Sequence, residues 1–340
     1  MLSWSRWPTR VWAAFVTLLG LSVVTFAIPR LIPGDPITVM AAERVLPDEE
    51  HARLLRELDL DRPLVVQYAR YVARAVQGDF GTSFVSKRPV LEDFRARLPA
   101  TLELSLLALV LGVGLGLAAG AAAGARPHGV VDRTLSSIAA ALWATPVYLT
   151  GLGLVLLVSI HWGLTPVSGR IGIAYDVPPG TGFLLIDTWL SGTDGAFGSA
   201  VRHLVLPVAT LAALPFAAVQ RMTRAALMGE LSEDYVQVAR AKGASRGRAA
   251  RHAWRAALVP VIAAIAALAA QMIGGAVLTE YMFGWPGVGR WLVEATQRRD
   301  YAVLQAGLLL VGILVLLVGL AADGLQRAVD PRLGRHGTSA

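Results

Sequence analysis

The sequence has no cysteine, only two lysines and few charged residues of any kind. Asp, Glu, Lys and Arg together make up 16% of its 340 residues. Without cysteine the chain can form neither disulfides nor thiolate metal sites, and we predict no metal centre. A typical soluble domain is about one-quarter charged, so this deficit indicates a protein with much of its surface in lipid.

Motifs for catalysis and nucleotide binding are missing as well. A phosphate-binding loop ends in Gly-Lys-Ser/Thr, but Lys87 is followed by Arg88 and Lys242 by Gly243. The sequence also lacks His-Glu-x-x-His, Gly-x-Ser-x-Gly and paired aspartates within an apolar stretch. We therefore predict a chain that is not an enzyme, with no catalytic residues and no cofactor. If ATP drives movement of a substrate, the motor must be another polypeptide.

Long uncharged stretches are what the sequence has instead. Six segments contain no Asp, Glu, Lys, Arg or His, and each approaches the ~20 residues that a helix needs to cross the hydrocarbon core. Lipid favours helices because the backbone must satisfy its hydrogen bonds within the segment. The six segments are 11–29, 104–125, 134–160, 204–220, 256–279 and 302–322. We predict an all-α integral membrane protein with six transmembrane helices, the first of them retained rather than cleaved as a signal peptide.

The placement of arginine predicts the orientation in the membrane. With six spans, both chain ends lie on the same side as the loop over 221–255, which holds eight basic residues against three acids. The segment 30–99 balances its arginines with acids such as Asp48 and Glu49. The positive-inside rule therefore puts both termini and the 221–255 loop in the cytoplasm of a multi-pass cell-membrane protein. Topology accounts for the net charge of +7, so we predict no nucleic-acid partner.

The chain divides into four parts on this topology. They are residues 1–30, a cytoplasmic tip and the first transmembrane helix; 31–100, an extracytoplasmic helical segment; 101–328, helices two to six with a cytoplasmic loop near 230–256; and 329–340, a cytoplasmic tail. Apolar residues at helical spacing predict two short amphipathic helices in the second part, one around Leu54 and Leu58 and one from Leu64 to Val76. We favour packing of these helices against the membrane face over a dedicated ligand site.

Two further segments lie between the predicted spans. The outer segment 161–203 is rich in Gly, Pro and Ser and lacks periodicity, which predicts a loop with short turns. Several glycines and Pro286 predict a turn after the fifth span, and the flanking Trp285 and Trp291 place that turn at the membrane interface. Pro146 lies within the third span and predicts a kink there.

The basic segment before the fifth span is patterned as a helix, a glycine and a second helix. Ser232 is the predicted N-cap of a helix of about ten residues, roughly 15 Å long. Gly243 follows as the C′ residue that ends it, and the second helix starts at Ser245. A polybasic patch on anionic lipid, or a simple topology determinant, would need neither caps nor a fixed break. We therefore favour a rigid element that is presented to a partner protein.

The stretch "QVARAKG", Gln237 to Gly243, resembles the Glu-Ala-Ala-x-x-x-Gly loop of ABC importer permeases. Further stretches are similar to the dipeptide/oligopeptide and nickel branch of that family, in its first permease type. They are "LIPGDP", "GDFGTSF", "LPATLEL", "GWPGVGR" and "DPRLG", in this order along nearly the whole chain.

The resemblance implies a type I importer core in which this loop is the coupling helix that docks into a separate ATPase. The implied coupling residues are Asp234, Tyr235, Gln237, Val238, Ala239, Arg240, Lys242, Gly243, Ala244 and Ser245. Gln237 departs from the motif, which has a glutamate there. The implied partners are a second permease, two ATPase subunits and an extracytoplasmic solute-binding protein.

Peptide is the favoured substrate, while relatives also carry nickel chelates, glutathione, opines and sugars. Gln271 and Gln305 are polar groups within the spans that could line a pathway, although helix-to-helix hydrogen bonding is the more ordinary role. Two other functions stay open from the residues alone: a secondary transporter or channel that acts by itself, and a membrane scaffold without transport.

Overall fold

A computed structural model describes residues 7–31, 47, 49, 53 and 62–329 of the chain, and these residues are predominantly helical. The helices are α1 (Trp7–Leu31), α2 (Leu64–Val76), α3 (Val90–Ala125), α4 (Val130–Ala144), α5 (Val147–Leu154, continued by π-helical turns over Val155–His161), α6 (Leu184–Ser191), α7 (Ala196–Ser232), α8 (Asp234–Ala241), α9 (Arg246–Met282), α10 (Val288–Gln297) and α11 (Tyr301–Val329). The only β-type backbone pairing in this part of the chain is an isolated antiparallel bridge between Thr82 and Pro89. The predicted all-α class is confirmed.

Four helices of the described chain are long and apolar enough to cross a membrane by length and composition. They are α3, α7, residues Ala250–Met282 of α9 and residues Tyr301–Gly324 of α11. The pair formed by α4 and α5 makes a fifth if it is taken as one span, and α1 contains a shorter apolar stretch, Trp12–Ile28. The exact number of six transmembrane helices therefore stays a prediction.

The third predicted span forms two helices that meet at an angle of 111°. α4 ends at Ala144, and Thr145 is extended at φ −87° and ψ 127° immediately before Pro146. Proline disfavours the helical conformation of the residue before it and has no N–H to donate to the preceding turn. The change of direction is thus much sharper than an ordinary proline kink within one helix.

Helices also occur in both outer segments. The predicted amphipathic helix from Leu64 to Val76 is confirmed as α2, and the one around Leu54 and Leu58 lies outside the described residues. The segment 161–203 is not all loop, because α6 and the start of α7 lie within it. Asp187 of α6 accepts hydrogen bonds from Thr181 N at 2.7 Å and Gly182 N at 2.9 Å. Burial opposes ionisation of this carboxyl, but the hydrogen bonds outweigh it and lower the pKa of Asp187.

The described chain forms two compact units. The first draws on residues up to Pro99 and on Gly287–Leu316. Its core is apolar and includes Phe94, Trp291 and Leu304. Within this unit the buried Asp300 carboxylate accepts a hydrogen bond from Ser83 Oγ at 2.6 Å. Trp291 is buried in this core, so its ring does not face lipid as in an exposed aromatic belt.

The second unit comprises Ala100–Pro286 and the chain after Leu317. In this unit α3 packs closely against α7 along four glycines spaced four residues apart, Gly112, Gly116, Gly120 and Gly124. A Cβ atom at Gly120 would lie 2.5 Å from Thr223 Cβ and 2.7 Å from Gln220 O. Only glycine lets the two backbones approach this closely, as small residues do at helix contacts in membranes.

The second unit also contains Trp285, from the turn after the fifth span. It is fully buried, and its Nε1 donates a hydrogen bond to Ala100 O at 2.9 Å. Its ring therefore does not face lipid, and the position of this turn at the membrane interface stays a prediction. A buried indole needs a partner for its N–H, and the end of the fifth span supplies the turn that brings the ring to α3.

Candidate functional site

An elbow follows α7; it consists of the short helix α8, Gly243 and the start of α9. α7 ends at Ser232, Glu233 is extended at φ −66° and ψ 147°, and α8 runs from Asp234 to Ala241. Gly243 then takes a φ of +86°, which is accessible to glycine and strained for a β-branched residue. Ser245 is the residue before α9. The glycine break and the start of the second helix agree with the predictions from the sequence.

The start of α8 differs from the prediction. Ser232 is not the N-cap, because its Oγ donates to Gly229 O at 2.7 Å within the last turn of α7. Glu233 takes that place, and its carbonyl accepts from Val236 N at 3.0 Å and Gln237 N at 3.3 Å. α8 consequently has eight residues rather than about ten. An acidic residue at this end also suits the helix dipole.

One side of α8 is anchored to the helices on either side of it. Val236 is 1% exposed and packs in a cluster with Leu227 of α7 and Ala253 and Ala257 of α9. Burial of a valine stabilises the contact by about 1.5–3 kcal/mol relative to an exposed side chain. α8 is therefore held against both neighbouring helices, and a displacement of α8 would act on both.

The opposite side of α8 is open to solvent in this chain. Tyr235 is 45% exposed and Val238 is 50% exposed. Of the other residues that the sequence singled out, Asp234, Gln237, Lys242, Gly243 and Ser245 are exposed and Ala239 and Ala244 are half-buried. Arg240 belongs to α8, but its side chain lies outside the described part. The structure thus brings the predicted coupling residues together on one short exposed element.

Hydrogen bonds fix two side chains of this element. Tyr235 Oη donates to Glu230 Oε2 at 2.7 Å. Partial burial and the neighbouring Glu230 carboxylate raise the pKa of Tyr235 to about 12, so the phenol stays a donor near neutral pH. Gln237 Nε2 donates to Ser232 O at 3.1 Å. The amide at the position of the motif's glutamate therefore bonds to the preceding carbonyl, a contact that a carboxylate would not make.

A buried ion pair joins α7 to α4 at the same end of the bundle as the elbow. Arg224 Nη2 donates to Asp132 Oδ2 at 2.8 Å, and Arg224 Nε donates to Asp132 Oδ1. The Asp132 side chain is 3% exposed and also accepts from His128 N at 2.8 Å and Ser136 Oγ at 3.1 Å. Two parallel N–H to oxygen bonds fix the orientation of both groups. Sequence reasoning missed this pair, although Asp132 is an isolated acid between Arg126 and Arg133.

Comparison with known proteins identifies the family of this chain. Residues 87–335 match the model of the family described as "Binding-protein-dependent transport system inner membrane component". The chain belongs to this family. Residues 7–105 match the model of the N-terminal part of such membrane components. The resemblance to importer permeases that the elbow motif indicated is confirmed.

Relatives in the family cover the chain almost from end to end. The dipeptide transport system permease protein DppB of Escherichia coli (strain K12) is 43% identical over 324 residues, which are 94% of this chain and 95% of the relative. The di/tripeptide transport system permease protein DppB of Pseudomonas aeruginosa (strain UCBPP-PA14) is 45% identical over 321 residues, with 94% and 95% covered. The oligopeptide transport system permease protein AppB of Bacillus subtilis (strain 168) is 33% identical over 318 residues, with 93% and 95% covered. All three are transport permeases, and this chain is a multi-pass membrane protein of their family.

The two glutamines predicted as pathway residues have different surroundings in this family member. Gln271 lies on α9 and is exposed. Gln305 lies on α11, is half-buried and lies near Tyr71 of α2. This position between two helices fits the ordinary helix-to-helix role that the sequence already favoured for this residue. Pathway lining stays a prediction for Gln271 and Gln305.

Sequence reasoning also missed two buried glutamates, because each lies one residue outside a predicted span. Glu280 is fully buried and accepts from Thr101 Oγ1 at 2.6 Å. Glu103 accepts from Arg170 Nη2 at 2.6 Å and from Leu185 N at 2.8 Å. The Arg170 guanidinium lies 5.3 Å from the Trp285 ring centroid. These contacts tie the segment after α5 to α3, and acids at the ends of apolar stretches were the signal that could have found them.

Proposed function

We propose that this chain is a permease subunit of an ATP-driven importer of dipeptides and oligopeptides. Family membership over residues 87–335 supports the importer assignment. The names of relatives that are 43% and 45% identical, a dipeptide and a di/tripeptide permease, support the choice of substrate. Near-complete coverage of each relative means that the likeness includes the membrane helices and the elbow together.

The elbow is the proposed coupling site for a separate ATPase, and its geometry is the observation that carries this proposal. A short helix with exposed Tyr235 and Val238 offers a contact surface, while Val236 locks its other side onto α7 and α9. A partner that moves α8 would then displace two long membrane helices at once. The proposed contact residues are Asp234, Tyr235, Gln237, Val238, Ala239, Arg240, Lys242, Gly243, Ala244 and Ser245.

The assembly that we propose contains a second permease, two ATPase subunits and an extracytoplasmic solute-binding protein in the inner membrane. The elbow and both chain termini lie in the cytoplasm in this arrangement. The arginine bias of the 221–255 loop supports that orientation. The proposed transport core runs from about residue 101 to 328, after the tip and the extracytoplasmic segment and before the tail. The boundary between the compact units at Pro99 agrees with its start, whereas residues 287–316 of the core belong to the first unit.

Reconstitution tests the proposal. We expect this chain to co-purify with co-expressed ATPase subunits. We also expect proteoliposomes of the full assembly to accumulate dialanine only when ATP is present inside the vesicles, on the same side as the ATPase. Uptake that needs an ion gradient and no ATPase would contradict the proposal and favour a secondary transporter. Proteoliposomes that lack the binding protein serve as the control.

A further inference from the structure

Helices α4 and α7 border a groove of about 590 Å³ in the second unit. Its walls are mostly apolar and include Ala140, Ala218 and Ala225, and Ser136 supplies a hydroxyl. Arg221 and Trp143 lie on opposite walls, with the guanidinium 5.2 Å from the ring centroid. Trp143 is 49% exposed, so the groove is open on one side of this subunit.

Two arginines line the groove, and only one of them is neutralised. Arg224 is bound by both oxygens of Asp132. For Arg221 the described chain supplies no carboxylate within ion-pair distance, and its contact is with the face of Trp143. The ring holds the guanidinium in place without satisfying its N–H donors. Arg221 lies one residue beyond the predicted fourth span, on the part of α7 that continues to Ser232, and its side chain is exposed. Its N–H donors, which no carboxylate of the described chain engages, can therefore bind an anionic ligand in the groove.

The α4 wall of the groove ends at the break in the third span. Trp143 lies two residues before Thr145, where the chain turns by 111° into α5. Broken helices at membrane depth occur where the backbone is buried in protein or lines a water-filled cavity. In transporters such broken helices line substrate sites. The break and the uncompensated arginine are independent features that meet in the same groove.

We propose that this groove is the part of the translocation path contributed by this subunit, and that Arg221 binds the terminal carboxylate of the transported peptide. The inference rests on the proposed function and names the substrate contact within it. Every short unmodified peptide carries that carboxylate, and a guanidinium matches its geometry with two parallel hydrogen bonds. The apolar walls accept side chains of varied shape. The open side is closed by the second permease.

The position of Arg221 also links this contact to the elbow. α7 is a continuous helix that ends at Ser232, eleven residues after Arg221, which corresponds to about 16 Å. A displacement of α8 by the motor therefore moves Arg221 with α7. Release of the carboxylate can follow from that movement without any change in the charge of the site.

The absence of cysteine makes solvent access directly measurable. In the assembled transporter, with the cysteines of its partner subunits replaced, we expect Ala225→Cys in the groove to react with a charged methanethiosulfonate at least tenfold faster than Val110→Cys. Val110 is 70% exposed on α3 and does not line the groove. Dialanine supplied with loaded binding protein and ATP should slow the reaction of Ala225→Cys severalfold.

Other outcomes overturn the inference in distinct ways. If Ala225→Cys reacts only with an apolar, membrane-soluble maleimide, lipid fills the groove. If it reacts with neither reagent, the second permease covers the groove and no path runs through it. If it reacts quickly but dialanine gives no protection, the groove is wet and is not a peptide site.

Uptake kinetics test Arg221 itself. We expect Arg221→Gln to lower ATP-dependent dialanine uptake about tenfold with unchanged membrane level and ATPase association. Arg221→Lys should recover only part of the uptake, because it keeps the charge but not the two parallel hydrogen bonds. Arg133→Gln is the matched control, since Arg133 is an exposed arginine on α4 that does not line the groove. Equal uptake in Arg221→Gln and Arg133→Gln would refute the assignment. If the parent assembly takes up no peptide at all, the proposed function fails rather than this site.

Discussion

Arg224 and Asp132 tie the end of α7 that leads into the elbow to the first turn of α4. The guanidinium reaches both carboxylate oxygens, and the Asp132 side chain is 3% exposed. α4 then leads directly into the break at Pro146. The pair is therefore a rigid link between the element proposed to receive force and the helix pair with the sharpest bend.

Removal of one partner of this pair should destabilise the protein strongly. Asp132→Asn leaves the Arg224 guanidinium without a counter-charge. Breaking a buried pair in this way lowers the free energy of unfolding by about 3–5 kcal/mol, and by less where one partner keeps access to water. Arg224 keeps some access, with a side chain that is 28% exposed. We expect a lower Tm for Asp132→Asn in detergent and partial recovery in the double variant Asp132→Asn/Arg224→Gln. A double variant that is less stable than both single variants would contradict the account of the pair.

The glycine contact between α3 and α7 gives a second stability prediction. Gly120→Ala places a Cβ within 2.7 Å of Gln220 O, so the helices must move apart. We expect a loss of roughly 1–3 kcal/mol, as for other overpacked cores. Gly114→Ala is the control, because no atom lies within 4 Å of a Cβ at Gly114, and helix propensity favours alanine there. Thermal unfolding of both variants decides the matter, and equal Tm values would count against close backbone packing.

Much of the fold follows from one-dimensional patterns. The helical spacing around Tyr68 predicted α2, and the glycine between two helix-patterned stretches predicted the break at Gly243, where φ is positive. These features depend on residues close together in the sequence, where local propensity and capping dominate. The same is true of the long apolar helices, which composition alone identifies.

Features that depend on tertiary contacts were missed or placed wrongly. Arg224 and Asp132 are 92 residues apart, so no local pattern pairs them. Trp285 fits an interfacial belt by its position after the fifth span, but the hydrogen bond to Ala100 O holds it in the interior. Ser232 is a good N-cap by residue type, yet its hydroxyl bonds back to Gly229 O. In each case a specific partner in space overrides a sound local preference.

Topology can be checked with single cysteines, since the chain has none of its own. We expect cysteines at Ser86 and Thr193 to react with an impermeant maleimide added outside intact cells, and cysteines at Arg126 and Arg251 to be protected until the membrane is permeabilised. All four residues are exposed, so burial does not limit the reaction. External labelling at Arg126 or Arg251 would overturn the proposed orientation.

The central claim is that the elbow couples this chain to an ATPase, and Gly243 is the most sensitive position of the elbow. Valine at a φ of +86° should cost on the order of 1–2 kcal/mol and turn α8 away from its partner. Gly247→Val is the matched control, because Gly247 lies in the first turn of α9 without positive φ, and a Cβ added there would meet no atom within 4 Å. The membrane helices should insert normally in both variants, since insertion depends on hydrophobicity and flanking charge.

The decisive measurement is ATP-dependent dialanine uptake by assemblies that carry either variant, with membrane level and ATPase pull-down recorded beside it. The account predicts normal membrane levels for both variants. Gly243→Val should show weakened ATPase association and no uptake, whereas Gly247→Val should keep both its ATPase association and its uptake. Full uptake by Gly243→Val would contradict the claim that this elbow is the joint through which an ATPase drives transport.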